Sequence, residues 1–269
     1  MKKDQHVIAC IESPESAPAV IEYARHWAQR LNGKGVILLN VSADGNNRWL
    51  SQYGLPYIGL KGNWKTAIDG LPTALGGILA VAGLNPRAPR SSFTNRRTLL
   101  RNFRECKIAY LVVEIATENT KNGMPPTTHP SAPERATLTL DYHRESKEKL
   151  IWGSYIARYI GASLTVAMPD YKDSNLRQLQ IDNQHYMEKL YTSLDLKYTT
   201  STIPHFTFKN SDIATIERLK PDVHVALTTD IRQRDLGDWL FGAPEMHLLS
   251  SKTPILFLNS RDDLYVLCD

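Results

Sequence analysis

VIACIESPESAPAVIEYARHWAQRLNGKGVILLNV, residues 7–41, decides how this chain is read. It opens on an apolar run, Val7-Ile8-Ala9-Cys10-Ile11, and passes through a turn with Glu15-Ser16. It closes on a second run, Val36-Ile37-Leu38-Leu39-Asn40-Val41. Between the runs, Val20, Ala24, Trp27, Ala28 and Leu31 recur at helical spacing and so share one face. That helix is expected to start between Ser13 and Pro18 and to stop at Asn32-Gly33, residues that accept the left-handed turn past a helix end. About 130 residues later the order returns. Thr137-Leu138-Thr139-Leu140 leads to Glu145-Ser146, a helix burying Leu150, Ser154, Ala157 and Ile160, then Gly161-Ala162 and Leu164-Thr165-Val166-Ala167-Met168.

Each half continues the alternation. In the first, Pro56–Leu60 reads as a short strand, Trp64–Leu71 as a short helix, Gly77–Ala82 as a buried strand, Thr98–Glu105 as a helix and Ile108–Val113 as a strand. The stretch between its second and fourth strands is short enough that a helix is expected to be lost. In the second, Asn175–Leu194 and Asp212–Leu219 read as helices, and Ile203–Phe208 and Val223–Thr228 as strands. A helix over 239–250 and a strand over Pro254–Leu258 follow, and Tyr265-Val266-Leu267 reads as a further short strand. Strands alternating with helices build parallel sheets covered on both faces. The expectation is an α/β protein of two tandem domains, each a five-stranded, mostly parallel sheet with helices on both faces. The domains are placed at 1–118 and 136–269, joined by a Thr-, Asn-, Pro- and Gly-rich linker, 119–135.

Composition excludes several classes. The apolar fraction of 42% suits packed cores. The net charge of +4 divides as +6 over residues 1–118, +1 over 119–135 and −3 over 136–269. Nucleic-acid binding calls for a denser basic stripe with stacking aromatics. The nearest approach, Arg87, Arg90, Arg96, Arg97, Arg101 and Arg104, reads as a solvated loop and helix face, or as an anion site if it faces the strand ends. Cys10, Cys106 and Cys268 have neither disulfide nor zinc spacing. Cys10, inside an apolar strand, reads as a small buried hydrophobe. No HxxxH or HExxH spacing marks a metal site, and no P-loop, GxGxxG or GxSxG is present. The N-terminus lacks a signal peptide's apolar core, and no run is long enough to span a membrane. The expectation is a cytoplasmic protein without nucleic-acid or membrane partners.

The opening strand and turn, Val7–Ser16, together with the closing strand, loop, helix and strand, Ala226–Leu258, resemble a tandem universal stress protein. The resemblance implies a fold of two sheets that pair through their last strands, so the chain's expected partners are its own halves, a second copy in a homodimer, and other proteins. ATP-binding members hold adenine with an Asp after the first strand, and ribose and phosphates with a glycine-rich loop after the fourth. Bare backbone amides there can approach phosphate oxygens. Carried onto this sequence, the resemblance matches Asp141 to the adenine residue and Thr229, Arg232, Gly242 and Ala243 to the loop. One glycine of three survives, and the closing hydroxyl is absent. In the first half Ile11 is aligned with the Asp, and Gly83-Leu84-Asn85-Pro86-Arg87 carries one glycine and a proline without an N–H. From its residues alone Asp141 reads first as a turn residue at a strand end or a cap for the following helix, ahead of a ligand contact, and His143 as solvent-facing. The resemblance therefore implies a non-enzymatic, stress-linked regulatory or binding protein with degenerate nucleotide sites. Its alternative ligand is ATP or another adenine nucleotide in the second half. A nucleotide hydrolase or transferase ranks below both, because no nucleophile–base pair shows in the sequence.

Overall fold

The computed structural model describes residues 5–32, 34–42, 47–104, 106–115, 133–204, 210–228 and 244–259. It divides into two units, Met1–Ala132 and Pro133–Asp269. Residues 119–132 of the expected linker and the strand expected at 265–267 lie outside the described residues.

The first unit runs β1 (His6–Cys10), α1 (Ala17–Arg30), β2 (Gly35–Ser42), a 3-10 turn (Arg48–Tyr53), β3 (Tyr57–Lys61), α2 (Trp64–Asp69), α3 (Leu71–Ala74), β4 (Gly77–Leu84), α4 (Arg96–Phe103) and β5 (Ala109–Glu114). Its strands lie in the order β3-β2-β1-β4-β5 and pair in parallel. The apolar face of α1 is buried as its spacing requires, from Val20 through Ala24, Trp27 and Ala28 to Leu31. Asn32 then takes a left-handed φ of 66° and turns the chain back toward β2.

The second unit runs β6 (Arg135–Thr139), α5 (Ser146–Tyr155) with a π-helical last turn (Ile156–Ile160), β7 (Ser163–Asp170), α6 (Ser174–Ser193), β8 (Tyr198–Pro204), α7 (Ser211–Leu219), β9 (Val223–Thr228), α8 (Pro244–Leu248) and β10 (Ile255–Asn259). The order is β8-β7-β6-β9-β10, again parallel. Between β7 and β8 the chain inserts the 20-residue α6, whereas between β2 and β3 it has the six-residue 3-10 turn. That is the helix the first unit lacks. The strand expected at Ile203 starts earlier, at Tyr198. It is an edge strand in which Ile203 is its one fully buried residue, so apolar alternation marks only its end.

In each unit the strand order reverses beside the first strand, between β1 and β4 and between β6 and β9. Such a reversal opens a crevice beyond the carboxyl ends of the two strands. Helix and sheet meet closely behind it. A Cβ on Gly153 of α5 would lie 2.7 Å from Leu138 Cδ2 and 2.9 Å from the Tyr191 hydroxyl. Gly153→Ala is therefore expected to lower stability by about 1 kcal/mol, overpacking outweighing the gain in helix propensity. A urea midpoint equal to or above that of the parent would contradict this.

Candidate functional site at the strand ends

The two units are aligned by their hydrogen-bond ladders. Cys10 pairs with Leu39, and the next amide, Ile11 N, donates to Leu39 O at 2.9 Å. Thr139 pairs with Ala167, and Leu140 N donates to Ala167 O at 2.8 Å. Ile11 therefore corresponds to Leu140, and Glu12 to Asp141. This corrects the alignment of Ile11 with Asp141. Counting from Val7 and Thr137 slips the register by one, because Ala136 already belongs to β6. Ile11 is a fully buried core residue, and an acid stands after the first strand of both units.

Asp141 is held by its own turn and by α5. Its Oδ1 accepts the His143 amide at 2.9 Å and the Ser146 hydroxyl, and its Oδ2 accepts Lys149 Nζ at 3.0 Å. The Lys149 side chain is 1% exposed and that of Asp141 17%. From α6, Asn183 Nδ2 donates to the carbonyls of Asp141 and His143, and Gln180 Nε2 to those of Leu140 and Pro169. The turn-residue reading of Asp141 fits this geometry, and His143 is solvent-exposed as expected. The half-buried Tyr142 ring lies beside the acid and meets Tyr171 edge-on at 5.3 Å. Thr229, Arg232, Gly242 and Ala243 lie outside the described residues.

Behind Asp141 a polar chain crosses the core. Thr137 Oγ1 meets His224 Nδ1 at 2.8 Å, and His224 Nε2 meets Asp212 Oδ1 at 3.1 Å. Thr139 Oγ1 meets Thr215 Oγ1 at 3.0 Å. Burial alone would push the Asp212 carboxyl up, but the charge of Lys149 and the bond to His224 carry it down to about 2. Burial works against the Lys149 ammonium as well, yet Asp141 and Asp212 hold its pKa above the ordinary lysine value. With Asp212 ionised, Nε2–H of His224 donates to it, and Nδ1 lies against the Thr137 hydroxyl. The order hydroxyl, imidazole, carboxylate is that of a nucleophile with its base and orienting acid. Here Thr137 and His224 are 2% and 0% exposed, so no substrate atom reaches the hydroxyl. The first unit places apolar residues at the matching positions. Ile8 and Ala80 pair where Thr137 and His224 pair, Cys10 stands for Thr139, and Val20, fourth in its helix, stands for Lys149.

In the first unit the acid faces the loop after β4. Glu12 Oε1 accepts the Phe93 amide at 2.6 Å. Its Oε2 accepts the Ser92 hydroxyl at 2.5 Å, the Thr94 hydroxyl at 2.9 Å and the Thr94 amide at 3.2 Å. Gly83, read from sequence as the glycine of a phosphate loop, lies inside β4. A Cβ there would come within 2.9 Å of Ile115 and 3.1 Å of Val20, so packing requires it to be glycine. Among the described residues no group of three or more His, Cys, Asp or Glu is arranged to hold a metal ion, and no helix is long and apolar enough to cross a membrane.

No family model matches the sequence, and no curated protein matches it. Solved structures do. A universal stress protein from Archaeoglobus fulgidus DSM 4304 superposes with a TM-score of 0.65 at 12% identity, over 96% of this chain and 97% of that one. The chain has the universal stress protein fold. A putative universal stress protein from Pseudomonas aeruginosa UCBPP-PA14 gives a TM-score of 0.62 at 14% identity, over 95% and 93% of the two chains. The cytoplasmic domain of a prokaryotic cation chloride cotransporter gives 0.54 at 11%, over 94% and 95%.

On the universal stress fold the acid after the first strand was legible in the second unit. Its partners were not. Lys149 sits in a charged run, Lys147-Glu148-Lys149, that reads as solvent-facing, and His224 sits in an apolar strand. Their burial depends on Asp141 and Asp212, which come from other elements. The one available signal was a lysine four residues into α5 on the same face as Leu150 and Gly153.

Proposed function

We propose that this chain is a non-enzymatic regulatory or binding protein of the universal stress family, built from two tandem five-stranded halves and working in the stress response. Its nucleotide sites are degenerate, and its partners are proteins, a second copy of itself among them. One observation carries the reading: the Asp141 carboxylate, which a nucleotide would have to engage, is already bonded to Lys149, Ser146 and the His143 amide. A ligand at that oxygen pair must compete with a buried ammonium and two further donors for the same carboxylate. The closed Thr137–His224–Asp212 chain likewise supports a role without catalysis.

A second reading places an adenine nucleotide beside Asp141 in the second unit. The half-buried Tyr142 ring supports it, because it offers a π-face on which a base can stack. Thermal-shift titration with ATP, ADP and AMP separates the two. The first reading expects no rise in melting temperature at millimolar nucleotide. A saturable rise that Asp141→Ala abolishes would establish the second, since a ligand specific to the native state must stabilise it by mass action. Phosphate released from ATP and lost in the same variant would mark a hydrolase.

A further inference from the structure

The first unit leaves one strand edge unprotected. β3 stands at the end of the order β3-β2-β1-β4-β5 and is bonded to β2 on one side only. Pro56 O accepts the Leu38 amide at 2.9 Å. In a parallel ladder the bonds to one neighbour come from alternate residues. Ile58 and Leu60 therefore turn their amides and carbonyls to β2, and Tyr57, Gly59 and Lys61 turn theirs outward. Tyr57 and Leu60 are 42% and 38% exposed, two of the three large apolar side chains exposed among the described residues. An exposed apolar edge is a template for a further strand. The corresponding strand of the second unit, β8, is blunted. It presents Thr199, Thr200 and Thr202 to solvent, ends on Pro204, which has no N–H, and has its Thr202 carbonyl bonded by Arg218 Nη1 at 3.1 Å.

We infer that β3 pairs with β3 of a second copy of this chain, antiparallel and centred on Gly59, so that two sheets join edge to edge about a two-fold axis. The strand, Tyr57-Ile58-Gly59-Leu60-Lys61, is complementary to its own reverse. Gly59 faces Gly59, and Ile58 faces Leu60 on one side of the sheet. On the other side Tyr57 faces Lys61, whose ammonium meets a ring rather than a second ammonium. The residues with outward backbone groups are those that this register bonds: Gly59 with Gly59 and Tyr57 with Lys61, each pair exchanging both hydrogen bonds. A Cβ on Gly59 would collide with the buried Asn47 side chain, so the rung at the axis is bare on both copies. A two-fold contact uses the same patch on each copy and so closes at a dimer. The inference rests on the reading that a second copy is among the partners, and it names the surface that copy uses.

The test uses the full chain. Sedimentation over a range of concentrations is expected to show a monomer–dimer equilibrium, a weak one because a five-residue edge buries little surface. Tyr57→Lys sets like charges opposite one another at both ends of the pairing and is expected to weaken association about tenfold. Adding Lys61→Glu puts opposite charges there and is expected to restore it. Both side chains are exposed, so the variants are expected to melt with the parent at concentrations where all are monomeric. Amide exchange in the parent provides a second readout. Tyr57, Gly59 and Lys61 are expected to slow as the concentration rises, while Ile58 and Leu60, already bonded to β2, do not change. The inference is overturned if the parent dimerises and Tyr57→Lys dimerises as tightly, if Lys61→Glu gives no rescue, or if the outward amides exchange alike at all concentrations. In each of those cases the reading of a self-associating protein stands. A parent that is monomeric at every concentration overturns the inference and removes the second copy from that reading as well.

Discussion

Lys149→Met is expected to destabilise the protein by about 3–5 kcal/mol, the usual cost of removing one partner from a buried ion pair. Methionine keeps the volume of the lysine stem, so little of the loss comes from a cavity. What remains is electrostatic. The ammonium is 1% exposed and bonded to Asp141 at 3.0 Å, and its charge also acts on Asp212. Without it, two carboxylates face one another's field in a poorly hydrated space. A marginally stable protein has on the order of 5–15 kcal/mol in all, so the effect should be plain in a urea titration. Adding Asp141→Asn should restore part of the loss, because the second change removes one of the stranded charges. A loss below about 1 kcal/mol, the size of an exposed ion pair, would show that water screens the pair and that the site is open.

Acid should weaken the second unit through Asp212. Its folded pKa of about 2 lies below its ordinary 3.8. The stabilisation is therefore complete above the unfolded value and is lost as the pH falls through about 2. A gap of nearly two units corresponds to roughly 2–3 kcal/mol. Lys149 behaves in the opposite sense. Its pKa is raised on folding, so its contribution is whole below the ordinary lysine value and is lost only as strong alkali passes the folded one. Asp222 also lies low, its burial outweighed by its bonds to Arg135, and titrates in the same direction as Asp212. The informative quantity is thus the difference between parent and Asp212→Asn from pH 7 to pH 2. The parent's advantage should shrink across the acid limb. A difference that stays constant with pH would mean that folding leaves the Asp212 pKa unshifted, and an advantage that grows on acidification would mean that Asp212 is protonated in the folded protein.

These expectations rest on groups the sequence did not single out. The strand and helix pattern was legible because apolar residues at spacings of two and of three to four are local signals, and they persist whatever the partner element is. The buried face of α1 follows from such spacing, the strands β1, β4, β5, β6, β7 and β9 from local apolar runs or alternation, and the turn before β7 from its glycine. The site was half legible. Asp141 was named, while its counterpart was placed at Ile11 because the strands were counted from Val7 and from Thr137 rather than Ala136. Only the ladder, in which Cys10 and Thr139 occupy equivalent rungs, shows that the counterpart is Glu12. The shorter helical content between β2 and β4 was readable from length alone.

What residues 7–41 and their return at 137–168 determine by themselves is the α/β alternation and the acid Asp141 at the end of the second half's first strand. Local apolar periodicity needs no distant partner to be read. What only the tertiary structure decides is what each acid does. Glu12 is satisfied by a loop about 80 residues away, and Asp141 by a lysine that is buried because two carboxylates from different elements converge on it. The free energy of a charge depends on its whole surroundings, and no single segment carries those.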